Sequence, residues 1–177
     1  MKNARGFTLL ELLTTLTVAA ILVGVAIPNF KILIQNDRQA AQVNSLLTAL
    51  TLARSEAIKR GGNTTASVCA GTTTACGGLW TNGWVVYYTP VPPAATAPVL
   101  LRVYPALSGN NTLKSSAGNA VTFQSNGMST LAVAATFTLC DSRGGAAARA
   151  VNVSIAGRAE SSITVGQDID GTALTCP

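Results

Sequence analysis

The residues that could do chemistry in this 177-residue chain are few, and none of them is a histidine. Without imidazole, a serine or cysteine nucleophile has no Ser-His-Asp or Cys-His partner, and a metal loses its nitrogen ligand. Ser125, Ser142 and Ser154 therefore have no base to activate them. The acids are seven: Glu11, Asp37, Glu56, Asp141, Glu160, Asp168 and Asp170. Asp168-Ile169-Asp170-Gly171 resembles a calcium-loop fragment, but it lacks the remaining ligands of an EF-hand, including the terminal glutamate, and reads as a turn. Cys69, Cys76, Cys140 and Cys176 have no CxxC spacing, which argues against zinc. The expectation is a protein that is not an enzyme, with no cofactor and no metal.

Composition narrows the class further. Charged residues make up 11% of the chain, against about 25% in a typical soluble domain, and 48% are hydrophobic. That balance excludes disorder. Setting aside Lys2 and Arg5, in a short N-terminal stretch, leaves ten basic against seven acidic side chains, a net +3. This bias is too mild for a protein that coats nucleic acid.

Glu11 stands out by its position. The 19 residues from Leu12 to Phe30 carry no charge. At about 1.5 Å per residue, a helix of that length crosses most of a ~30 Å hydrocarbon core. Lys2 and Arg5 precede it and place the N-terminus on the cytoplasmic side. The run is long for the apolar region of a secretory signal, and no clear small-x-small cleavage site follows. A carboxylate beside such a span is a functional-site hypothesis, and its natural partner is a positive charge held at similar depth. A chain cut after Gly6 would offer one, the α-amino group of Phe7. By charge alone, a carboxylate resting in the headgroup layer and aiding the first helical turn fits equally well.

The elements that must position these residues follow from periodicity. Val43, Leu46, Leu47, Leu50, Ala53, Ala57 and Ile58 recur at three- and four-residue steps, one face of an amphipathic helix. Glu56 and Arg60 are spaced as a helical ion pair, and Gly61-Gly62 ends the run. The spacing predicts a helix from about Phe7 to Arg60, bent or interrupted at Pro28. Its halves are a span over 7–30 and an amphipathic stretch over 31–61.

Residues 62–177 read as a β-rich head. Predicted strands are Trp84–Tyr88, Val99–Tyr104, Val121–Gln124, Thr136–Cys140 and Ala150–Ile155. A proline-rich connection, Pro90 to Pro98, cannot lie inside a sheet. The fold class is α+β, a long N-terminal helix packed on antiparallel strands. All four cysteines fall in the head, which a cytoplasmic N-terminus places in an oxidising compartment. Of the three possible pairings, we favour Cys69–Cys76, closing a short loop, and Cys140–Cys176, pinning the C-terminal segment to a strand.

Gly6-Phe7-Thr8-Leu9-Leu10-Glu11, followed by a long apolar helix, resembles the class III leader of type IV pilins and type II secretion pseudopilins. The resemblance implies a six-residue leader (1–6), cut after Gly6 by a prepilin peptidase that also methylates Phe7. It implies that Glu11 pairs with the N-terminal amine of a neighbouring subunit during assembly, and that Pro28 is the helix-bending proline. In the head, Trp80-Thr81-Asn82-Gly83-Trp84, Leu139-Cys140-Asp141-Ser142-Arg143-Gly144, the Ala148–Ser154 stretch and Gly157-Arg158 resemble the GspH/FimT family of minor pilins and pseudopilins.

The implied role is a minor pilin at or near the tip of a type IV pilus that helps begin its assembly. Its partners would be other minor pilins, major pilin subunits, the prepilin peptidase and the inner-membrane assembly machinery. The chain would first cross the inner membrane once, head in the periplasm, and then enter the fibre at the cell surface. A type II secretion pseudopilin would share the leader and the fold. A third reading is a minor pilin that takes up double-stranded DNA, because DNA-binding members carry Gly-Arg-x-Arg near the C-terminus. Here those positions read Gly157-Arg158-Ala159-Glu160, with a glutamate in place of the second arginine. Arg143, Arg149 and Arg158 would then form a basic patch across neighbouring strands, and three phosphate contacts imply a salt slope of about −2.7.

Overall fold

The computed structural model describes residues 6–90 and 97–176. Lys2, Arg5 and the rest of leader residues 1–5, with most of the Pro90–Pro98 connection, lie outside the described residues. The chain divides after Asp37 into two compact units, each taken by itself below.

The first unit holds the N-terminal part of helix α1, which runs Leu9–Arg60. The described residues up to Ile34 are exposed, and an 18-residue window has a mean hydropathy of 2.2. The threonines within this stretch turn their hydroxyls onto the helix's own carbonyls: Thr14 donates to Glu11 O (3.0 Å), Thr15 to Leu12 O (2.9 Å) and Thr17 to Leu13 O (2.7 Å). Between Glu11 and Lys31 a helix so satisfied presents a mostly hydrocarbon surface. The expected interruption at Pro28 does not occur, because α1 continues through it. The missing N–H there removes the usual donor to the Gly24 carbonyl.

In the second unit α1 buries Gln39, Val43, Leu46, Ala49, Leu50, Ala53 and Ala57. Two expected members of that face differ: Leu47 is half-buried, and Ile58 is 49% exposed beyond the packed stripe. Gly61 and Gly62 both take left-handed backbone conformations (φ 64° and 58°) that stop the helix.

Eight strands follow among the described residues: β1 (Thr65–Ala70), β2 (Trp84–Thr89), β3 (Val99–Tyr104), β4 (Thr112–Ser115), β5 (Ala120–Phe123), β6 (Ala135–Cys140), β7 (Arg149–Val153) and β8 (Ala159–Ser161). They form two antiparallel four-stranded sheets, ordered β3-β2-β1-β5 and β4-β6-β7-β8. Val68, Trp84, Val86, Val121 and Phe123 of the first sheet join Phe137, Leu139, Val151 and Val153 of the second in one core with Leu46 and Leu50 of α1. In β5 and most of β6 alternate residues face that core, as a pleated ladder requires.

Candidate functional site

The structure places the sequence-marked residues at two separate locations. The first is the start of α1. Thr8 is the residue before the helix, and Glu11 lies in its first turn. The Glu11 N–H donates to Thr8 Oγ1 (3.3 Å), while Thr8 N–H and Thr8 Oγ1 donate to Glu11 Oε2 (3.4 and 3.5 Å). These reciprocal bonds are a capping box, which answers two of the helix's orphan amide donors. Its sequence signal is the Thr-x-x-Glu spacing. Among the described residues Oε1 of Glu11 has no hydrogen-bond partner. Gly6 and Phe7 are exposed immediately upstream.

The second location concerns the three arginines, and the structure does not bring them together. Arg143 follows β6 and grips Asp141, with Nη2 at 2.7 Å and Nε at 3.0 Å from Oδ2. The Asp141 side chain is only 2% exposed. Burial alone would raise its pKa, but the side-chain and backbone hydrogen bonds from Arg143, with its charge, outweigh this and hold the carboxyl below its usual value.

Arg149 faces inward. It shares a rung with Leu139 on β6 and, through it, with Leu113 on β4, both buried. Residues on one rung point to one face, so Arg149 stands on the inner face of its sheet. There it lines a small cavity with Gln42, Val43 and Leu46 of α1, and its Nε is buried without a partner. Arg158 lies toward the other end of β7: it donates its N–H to Ser154 Oγ (3.1 Å) and accepts from Ser154 N–H (2.9 Å). At about 3.3 Å per residue, the five positions from Arg149 to Ser154 span roughly 16 Å. Arg158 is also paired with Glu160 at 3.0 Å. Arg143 and Arg158 thus each hold a carboxylate, while the half-buried Arg149 stands on the inner face of its sheet.

The head motifs prove to be architectural. Gly83 takes φ 101°, and a Cβ there would collide with the Tyr104 carbonyl oxygen. Trp80 donates its indole N–H to Gly118 O (2.7 Å) and meets Phe137 edge-on at 4.8 Å. Trp84 stacks on Tyr104 at 5.6 Å. Gly157 (φ 76°) abuts the Gly127 carbonyl oxygen, leaving no room for a methyl group. Between these two glycines lies Arg54 of α1, whose Nε donates to Gly127 O (2.9 Å) and Nη2 to Ala156 O (3.3 Å). Sequence reading missed Arg54, because an exposed-looking arginine on a helix carries no signal of the two carbonyls it will meet. The cysteines form two disulfides, Cys69–Cys76 and Cys140–Cys176. Asp168 closes a turn, its Oδ1 accepting from Asp170 N–H (3.0 Å) and Thr172 N–H (2.9 Å).

Residues 42–157 match the family model for type II transport protein GspH, and residues 1–27 match the prokaryotic N-terminal methylation motif. No curated protein sequence gives a significant match. Among solved structures, the type IV minor pilin FimU of Pseudomonas aeruginosa strain PAO1 is similar in two crystal forms. The first has a TM-score of 0.56 at 23% identity and covers 71% of this chain and 89% of that one. The second has the same score and identity, and covers 73% and 98%. At this identity the likeness establishes the fold, a long N-terminal helix packed on antiparallel sheets, as in type IV pilins. The GspH model spans well over half of the chain, and with the methylation motif before it this protein belongs to the GspH/FimT family of type IV minor pilins and pseudopilins.

Proposed function

We propose that this chain is a minor pilin that enters a type IV pilus at or near its tip and helps to initiate assembly. A prepilin peptidase removes residues 1–6 and methylates Phe7, leaving the subunit in the inner membrane with its head in the periplasm. The assembly machinery then moves α1 out of lipid and among the helices of other minor pilins and the first major subunits. The chemistry is association: this chain makes and breaks no bond after its leader is gone.

The observation that carries this reading is the described N-terminal stretch of α1, exposed through Ile34 and uncharged from Leu12 to Phe30, with Glu11 just before it. Such a surface needs lipid or neighbouring helices, and a carboxylate at its edge favours a partner cation. Cleavage supplies that cation on each subunit, the amine of Phe7. A pseudopilin of a secretion system would use the same parts, and the fibre with which the processed chain co-purifies separates the two readings. The uptake of DNA has less support, since Arg143 and Arg158 already hold carboxylates and Arg149 faces the core.

The test follows processing and incorporation separately. Gly6→Ala is expected to leave the chain unshortened in the membrane fraction. Glu11→Ala is expected to give a shortened chain that is lost from sheared fibres, with fewer fibres per cell. A Gly6→Ala chain of normal mature mass, or full incorporation of Glu11→Ala, overturns the proposal.

A further inference from the structure

Most cations of the second unit find a partner within the chain. Arg143 and Arg158 hold carboxylates, Lys59 and Arg60 share Glu56, and Arg54 holds two carbonyls. Arg102 lies over the Tyr104 ring at 5.0 Å, and Lys114 is exposed to water. Among the described residues, two half-buried arginines have neither an ion pair nor a side-chain hydrogen bond, Arg38 and Arg149. Both border Gln42. Arg38 stands one turn before it on α1, where residues four apart are neighbours. The Arg38 guanidinium lies against Gly109 (φ 78°), and a Cβ at that glycine would collide with it. Gln42 donates to Ser108 O (3.0 Å) and accepts from Nδ2 of the buried Asn111 (2.6 Å), which fastens this connection to α1. Arg149 lines the small cavity beside Gln42 together with Leu107 and Leu113.

The guanidinium of Arg149 is divided between inside and outside. Its Nε is buried without a partner, but neither Nη shares that burial, so the end-on edge of the fork meets solvent. A half-buried guanidinium has lost part of its hydration, and no group of this chain offsets the loss. A carboxylate is planar and takes two parallel N–H bonds from one guanidinium edge, which matches the edge that Arg149 leaves open. Phosphate surfaces of lipid or nucleic acid are instead gathered by many exposed cations, whereas these are two, and each is seated against the head. We propose that Arg149, flanked by Arg38, is a docking point for a carboxylate side chain on a neighbouring pilin head. This inference rests on the assembly role proposed above. An arginine of this kind weakens the free subunit and strengthens the assembled one, the reverse of a residue that serves the fold.

The experiment compares full-length wild type, Arg149→Met, Arg149→Lys and Arg38→Met by two readouts. These are the fraction of processed chain in sheared fibres and the Tm of the chain in detergent. Arg149→Met is expected to lower incorporation roughly tenfold, as the loss of one charge-assisted pair does. Its Tm is expected to equal or exceed that of wild type, because it breaks no side-chain bond within the chain and removes a buried unpaired donor. Arg149→Lys keeps the charge without the fork and is expected to fall between the two in incorporation. Arg38→Met is expected to lower incorporation roughly threefold at unchanged Tm, as the loss of a rim ion pair does. In Arg149→Lys fibres a carbodiimide joins the substituted amine to the partner's acid, and mass spectrometry of the cross-linked peptide identifies that Asp or Glu. Normal incorporation of Arg149→Met, or a fall in its Tm, overturns the docking role, and normal incorporation of Arg38→Met overturns the two-arginine site. Reduced incorporation with no intermolecular cross-link overturns the carboxylate and assigns the arginines to a phosphate surface. Wild type missing from the fibres overturns the assembly reading itself.

Discussion

Replacing Arg54 with methionine tests whether one side chain joins the three layers of the head. Methionine keeps the aliphatic stem that packs along α1 and removes the guanidinium. Two hydrogen bonds go with it, Nε to Gly127 O (2.9 Å) and Nη2 to Ala156 O (3.3 Å). A hydrogen bond from a charged donor contributes about 1.5–3 kcal/mol. The first bond is part-buried and keeps that range, while the second is longer and exposed and is discounted to about 0.5–1 kcal/mol. The expected loss is about 2–4 kcal/mol. For a unit of residues 38–177, with an unfolding entropy near 2.1 cal/mol/K per residue, this lowers Tm by roughly 7–13 °C. Tryptophan fluorescence reads the transition in the full chain in detergent, because both tryptophans, Trp80 and Trp84, are buried in this unit. Arg54→Lys, which keeps the charge with fewer and less directed donors, is expected to fall between the two. A shift below about 3 °C for Arg54→Met would refute the reasoning.

Removing Cys140–Cys176 by a double serine substitution opens a loop of sequence separation 36 and is expected to cost about 4 kcal/mol, against about 2.5 kcal/mol for Cys69–Cys76 at separation 7. Urea midpoints of the two variants check the order, and a larger cost for the short loop contradicts it. The carboxyl of Asp141 is held below its usual value, so its contribution is present above the unfolded pKa of about 3.9 and disappears as pH falls through the folded one. Wild type should therefore lose more stability than Asp141→Asn between pH 5 and pH 2, and parallel curves would count against the Arg143 pair. Duplex DNA binding should show no salt-dependent component that Arg158→Ala weakens; a slope near −2.7 that this variant reduces by about 0.9 would reinstate the uptake reading. Gly157→Ala is expected to destabilise the head as strongly as Arg54→Met, and a neutral effect in thermal melts would mean that the junction relaxes freely.

The parts of this fold that could be read beforehand are those whose physics is local. The apolar run from Leu12 to Phe30, the three- and four-residue steps after Val43 and the double glycine at 61–62 each state their role within a few residues. Strong strands such as Trp84–Thr89 and Ala135–Cys140 carry aromatic and β-branched residues that declare them. Strand β1 was not visible, because Thr65-Ala66-Ser67-Val68-Cys69-Ala70 is built of small residues and is a strand only by virtue of neighbours on both sides. The short β4 and β8 are likewise stabilised by their pairing. Among the site residues, the leader was readable because its motif is contiguous, whereas the Thr8–Glu11 capping box went unread although its spacing is just as local. Arg149 was misjudged because an arginine at a strand's first residue has either face open to it, and register with Leu139 decides which. Gln39 was missed for a similar reason: a glutamine at a buried helical step (1% exposed) reads as surface until the face is known.

The meeting of Arg54 with the turns at Gly127 and Ala156–Gly157 has a mechanical side. Those turns belong to different sheets, yet a single guanidinium grips both. A load entering the head along the axis of α1 therefore reaches the two sheets together at this point. A lengthwise slip of the helix past one sheet breaks the bond to that sheet and strains the other, since both leave one guanidinium. The bonds run from the helix flank to the turns and resist such slip in shear, backed by the buried stripe from Val43 to Ala57. A pull on the helix would thus divide strain between two sheets before any strand begins to unzip.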